Sequence, residues 1–133
     1  MKRAMIRLLL VASGGALGAV ARYGVGRLAA RLHPTAEWPW GTLTANVIGG
    51  LLMGLLAGWL ASREGPQAEA LRLFAAVGVL GGFTTFSAFS LETALLLERR
   101  QFALAGAYVG LSVLLAIAAL FVGLIVARRG LGL

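Results

Sequence analysis

The sequence predicts an all-α membrane protein of four transmembrane helices, the third of them broken near its middle. Three observations carry that expectation. Hydrophobic residues make up 59% of the chain and charged residues 13%, against about 25% charged in an ordinary soluble domain. The charges gather at the ends of four long apolar stretches, where arginine meets lipid headgroups. The third stretch is interrupted by glycine, threonine and serine in LGGFTTFSAFSLE, residues 80–92. There is no cysteine, so no disulfide framework or thiolate metal site is available. The net charge of +7 comes from flanking residues such as Lys2, Arg3, Arg7, Arg63, Arg99, Arg100, Arg128 and Arg129, which argues for headgroup anchoring over nucleic-acid binding.

The expected helices cover approximately 4–31, 40–62, 70–97 and 102–128, forming one channel-sized domain over 1–133. In the first, only 14 uncharged residues separate Arg7 from Arg22, so a span must run through Arg22 toward Arg31. A basic start followed by Ala19-Val20-Ala21 also fits a signal peptide. Small and apolar residues continue past that point in Tyr23-Gly24-Val25-Gly26, which favours an uncleaved helix. In the second, 25 uncharged residues lie between Glu37 and Arg63, and Trp40 and Trp59 sit about 29 Å apart at helical rise, marking two interfaces. His33, Pro34, Trp38 and Pro39 then form an interfacial loop, in which a lone histidine reads as solvated. The third and fourth stretches hold 19 uncharged residues between Arg72 and Glu92 and 26 between Gln101 and Arg128. Short polar connections at Ser62 to Glu69 and Glu98 to Gln101 leave no room for a soluble domain. Glycines four apart (Gly14 and Gly18; Gly50, Gly54 and Gly58; Gly106 and Gly110) predict faces where helices approach closely.

Basic residues divide seven (Lys2, Arg3, Arg7, Arg63, Arg72, Arg128, Arg129) to five (Arg22, Arg27, Arg31, Arg99, Arg100) between the two sides. So small a bias sets orientation weakly. The chain is therefore expected to insert both ways, and two opposed copies can pair about an axis in the membrane plane.

Polar groups in hydrocarbon cost several kcal/mol unless they face protein or a water-lined path. Thr42 and Asn46 share one face of the second span, and Tyr108 and Ser112 share one face of the fourth. In the third, Gly81-Gly82 and Thr84-Thr85 are poor helix residues, and a threonine here can cap a new helix whose first turn holds Phe86. A break at Gly81 to Thr85 exposes backbone groups at membrane depth, which is tolerated beside a cavity or inside protein and suits ion binding. Phe83, Phe86 and Phe89 repeat at helical spacing with Glu92 following in phase. Aromatic edges carry partial positive charge and can face an anion.

These residues resemble the CrcB/Fluc fluoride channels over nearly the whole chain. The resemblance rests on Gly14-Gly15-Ala16-Leu17-Gly18-Ala19 with Arg22-Tyr23, on Gly41-Thr42-Leu43 with Asn46 and Gly49, on Gly81-Gly82-Phe83-Thr84-Thr85-Phe86-Ser87 with Phe89 and Glu92, and on Tyr108 with Ser112. It implies a passive fluoride-selective channel in the plasma (cell inner) membrane that exports fluoride and lowers its toxicity. It further implies an antiparallel dual-topology homodimer with two pores and a structural sodium ion at the dimer centre. By the same resemblance the carbonyls of Gly81 and Thr84 hold the sodium. Asn46, Phe86 and Phe89 line the pore, the two phenylalanines as the family's Phe box. Tyr108, Ser112 and Thr42 supply a hydroxyl track, Glu92 belongs to the same path, and Arg22 sits toward the vestibule.

One departure stands out: a turn beyond Ser112, where the hydroxyl track can continue in the family, this chain has Ala116. The rival four-helix class, small dual-topology multidrug transporters, uses a carboxylate in the first helix, and that helix has none here. A non-transporting structural subunit has no need of a broken helix with amide and ring groups in phase. No acid–base pair, metal cluster or nucleophile motif supports an enzyme.

Overall fold

A computed structural model describes residues 2–130 of the chain. Every regular element among them is helical: α1 (Lys2–Leu32), α2 (Trp40–Leu60), α3 (Pro66–Leu71), a π-helical stretch Arg72–Leu80, α4 (Gly81–Phe83), α5 (Phe86–Glu98) and α6 (Phe102–Gly130). Four helical runs are long and apolar enough to cross a membrane: α1, α2, the composite run Pro66–Glu98, and α6. The 21 residues of α2 extend about 32 Å, close to the hydrocarbon thickness. Helix α1 runs unbroken through Ala19-Val20-Ala21.

The turns have local causes. Gly65 takes φ 100, a conformation that strains any residue with a Cβ, and Pro66 follows at the first helical position, where its missing N–H costs nothing. At the other end of the third run Arg100 takes φ 59, while Arg99 N–H and Gln101 N–H bond back to the carbonyls of Leu95 and Leu96. That closes α5 and launches α6 in the opposite direction.

Helix packing runs through glycine, as expected for membrane helices that gain nothing from excluding water from one another. Helix α1 lies on the first half of the third run: a Cβ on Gly14 would meet the Phe74 carbonyl, and one on Gly18 the Val79 carbonyl. Gly78 and Gly82 answer from the other side, their added Cβ atoms meeting backbone of Gly14 and Gly15. Helices α2 and α6 make the second pair, with Gly50, Gly54 and Gly123 pressed against the carbonyls of Ala116, Leu120 and Leu51. The third glycine face does not behave as expected. A Cβ on Gly106 or Gly110 meets nothing within 4 Å, so these two face open space in the single chain. Spacing of four creates a smooth face; only a facing helix turns it into a contact.

Large apolar side chains such as Leu8, Leu9, Leu17 and Val20 on α1 and Leu114, Phe121 and Val126 on α6 point outward, the arrangement a bilayer demands. The buried cluster that matters for the site is Leu43, Phe89, Leu96, Ala105 and Tyr108, with Trp38 packed against it. It sits where α2, α5 and α6 meet, just beyond the break.

Candidate functional site

The break lies at Thr84 and Thr85, which are both extended (φ −85, ψ 157 and φ −151, ψ 126). The sequence placed its edge earlier, at Gly81. Gly81 and Gly82 are helical, and at Gly82 glycine serves for the approach of α1, whose Gly15 carbonyl an added Cβ would meet. The predicted cap is formed: Thr85 Oγ1 accepts from Ala88 N–H at 3.2 Å and starts α5.

What holds the break open is Asn46 on α2. Its Oδ1 accepts Thr85 N–H at 2.8 Å and its Nδ2 donates to the Thr85 carbonyl at 3.0 Å, so one carboxamide grips both backbone groups of one residue. Four carbonyls, those of Gly81, Gly82, Phe83 and Thr84, lose their helical donors at the break. In a continuous helix Thr85 N–H would serve Gly81 and Ala88 N–H would serve Thr84. Those donors go instead to Asn46 Oδ1 and Thr85 Oγ1. The carbonyls of Gly81 and Thr84 are thus freed of their helical donors. The neighbouring Gly82 carbonyl accepts Arg22 Nε at 3.0 Å, which pins the half-buried Arg22 guanidinium against the break.

Beyond the break Phe86 and Phe89 lie one turn apart, centroids 5.5 Å and planes tilted 43°. Phe89 is buried and Phe86 is 78% exposed. Phe83 does not join them: the two extended residues rotate it out of phase, and it is buried near Gly18 and Gly49. A periodicity read across a break is not a face. Phe89 packs on Tyr108 of α6 at 5.3 Å. Glu92, one turn on, gathers the hydroxyls: Thr42 Oγ1 donates to its Oε1 at 2.7 Å and Tyr108 Oη to its Oε2 at 2.6 Å. Ser112 is buried and its Oγ has no partner.

Two open spaces flank this group. A cleft of about 420 Å³ is lined by Asn46, Thr85, Phe86, Phe89 and Ser112, with Ala116 one turn beyond Ser112. A wider vestibule of about 700 Å³ is lined by Arg22, Thr42, Thr85 and Glu92, and by the α1–α2 loop. Thr85 borders both spaces. Arg22, Thr42, Asn46, Phe86, Phe89, Glu92 and Ser112 therefore line these two openings, Gly81 and Thr84 lie at the break, and Tyr108 is buried behind Phe89 and Glu92. Sequence reasoning missed Thr85 as the anchor of Asn46, because the pairing spans 39 positions. It also set Trp38 aside as an interfacial residue, although that ring packs against Tyr108. Among the described residues no group of three or more His, Cys, Asp or Glu side chains is placed to hold a metal.

Residues 9–124 match the family model described as CrcB-like protein, Camphor Resistance (CrcB). A protein of Caulobacter sp. is 61% identical over 94% of this chain and 97% of its own length, and bears the name fluoride-specific ion channel FluC. Proteins of Phenylobacterium zucineum and Hyphomonas neptunium with the same name are 60% and 58% identical, over 94% and 91% of this chain and 98% and 94% of their own.

Proposed function

The chain belongs to the CrcB family, and from that premise we propose that it is a fluoride-selective channel carrying the ion passively down its electrochemical gradient, not an enzyme. The observation that carries the reading is the set of donors around the break. Fluoride is small and strongly hydrated, so a path must replace its water with donors and leave each site weak enough to quit. The Asn46 carboxamide has two N–H bonds and spends one on Thr85, and the Ser112 hydroxyl is buried without a partner. The edges of Phe86 and Phe89 add partial positive charge between them. Arg22 at the vestibule raises the local anion concentration, and Thr42, Tyr108 and Glu92 form the polar wall beside it.

The channel is an antiparallel homodimer with two pores. Support comes from the outward face of the single chain. Phe86, Ser87 and Ser90 are exposed beside an open helix break, a costly surface to give to lipid. A second copy turned over would cover it. The freed carbonyls of Gly81 and Thr84, doubled by the partner, fit a structural sodium ion at the dimer centre. Such an ion supplies fixed positive charge to oxygens that have lost their amide donors.

Pure protein in liposomes loaded with potassium fluoride or potassium chloride tests the function. Fluoride is released when a potassium shunt is added, and chloride is retained. Absence of fluoride release, or equal release of chloride, defeats the assignment. Phe86→Ile keeps bulk but removes the ring edge, and is expected to lower fluoride release roughly tenfold or more. Unchanged release would take Phe86 out of the pore.

A further inference from the structure

The loop between α1 and α2 reaches back into the centre of the site. Its Trp38 ring stands edge-on to Tyr108, centroids 5.7 Å apart and planes at 85°. Tyr108 is fully buried, and Phe89 lies against it at 5.3 Å. Its ring is thus held between two aromatic neighbours, with its hydroxyl on Glu92 at 2.6 Å. A hydrogen bond of that length is lost if the ring swings by about an ångström. The indole Nε1 of Trp38 is itself buried without a partner, so the ring keeps its place by shape and not by a hydrogen bond. The same loop is fastened to the start of α6, where Gln101 Nε2 donates to Glu37 Oε2 at 2.7 Å.

We infer that Trp38 is a positioning residue for ion passage: it holds the Tyr108 ring so that the hydroxyl stays on Glu92, and the Glu37–Gln101 bond fastens the loop that carries it. The inference rests on the channel reading above. Its signature is that Trp38 acts only through the Tyr108 hydroxyl. Aromatic edge-to-face packing does not use the indole N–H, so a phenylalanine can take over the contact.

Fluoride release from liposomes is compared for wild type, Trp38→Ala, Trp38→Phe, Gln101→Ala, Tyr108→Phe, and for Trp38→Ala and Gln101→Ala each combined with Tyr108→Phe. Trp38→Ala is expected to slow release roughly tenfold, the effect of losing one hydrogen bond to a charged acceptor. Trp38→Phe stays within about twofold of wild type. Gln101→Ala slows release about twofold, since an exposed ion-assisted bond is worth little. In the Tyr108→Phe background both losses vanish, because the hydroxyl they position is already gone. Losses that multiply with Tyr108→Phe overturn the inference, as does a Trp38→Phe protein as slow as Trp38→Ala. Should Trp38→Ala give no monodisperse protein, Gln101→Ala against Tyr108→Phe decides by the same rule. A wild type that releases no fluoride removes the channel reading itself, which is a separate result.

Discussion

Asn46→Asp is expected to cut fluoride release by about two orders of magnitude while the protein still elutes at its wild-type size. The substitution is nearly isosteric, so the packing of α2 is kept. The carboxylate still accepts Thr85 N–H, but the Nδ2 donor to the Thr85 carbonyl is replaced by an oxygen facing an oxygen across a gap that was 3.0 Å. Losing that hydrogen bond costs about 0.5–1.5 kcal/mol before the repulsion between the two facing oxygens is added, and a hundredfold loss of flux corresponds to about 2.8 kcal/mol. A negative charge is also placed where an anion must pass, and charge inside the bilayer is poorly screened. Both effects act in the same direction. Asn46→Ala separates them, because it removes the donor without adding charge and is expected to be less severe. Release within about twofold of wild type for Asn46→Asp would show that the ion takes another route.

The second large effect is structural. Gly18→Leu is expected to abolish recovery of a stable folded protein, and Gly54→Val to do nearly the same. A Cβ on Gly18 would meet the Val79 carbonyl and the Phe83 amide, and one on Gly54 the Leu120 carbonyl. Those neighbours are backbone, so no side chain can turn aside and the helices must move apart. Overpacking of this kind costs about 3 kcal/mol or more. Moving α1 away also drags Arg22 from the Gly82 carbonyl, so any protein that survives should conduct poorly. Gly24→Ala is the control: its added methyl meets nothing within 4 Å, and melting followed by size-exclusion chromatography should match wild type. A Gly18→Leu protein that melts with wild type would mean that α1 does not lie on the third run as described.

The candidate site was legible in part, and the boundary is instructive. Thr85 as a helix cap could be read locally, because a cap needs only a hydroxyl and the amide three residues on. The freeing of the Gly81 carbonyl could not be derived that way, since it depends on where Thr85 N–H goes. That donor is claimed by Asn46, on another helix. Phe83 shows the opposite error. Its spacing from Phe86 and Phe89 is helical, but the extended pair Thr84-Thr85 breaks the phase that the spacing assumes. Gly106 and Gly110 fail for a related reason, as a glycine face is only half of a contact.

By itself the sequence determined the four apolar spans, the break in the third, and the residue types that gather near it. Hydropathy, capping and glycine cost act over a few neighbours and need no knowledge of the rest of the chain. Tertiary structure alone decided that Asn46 clamps Thr85, that Thr42 and Tyr108 both donate to Glu92, and that Trp38 stands against Tyr108. These pairings join residues on different elements, 50 positions apart for Thr42 and Glu92. Each side chain has several partners it could satisfy in hydrocarbon, and the packing of α2, α5 and α6 selects one, because an unpaired polar group there is too costly to leave.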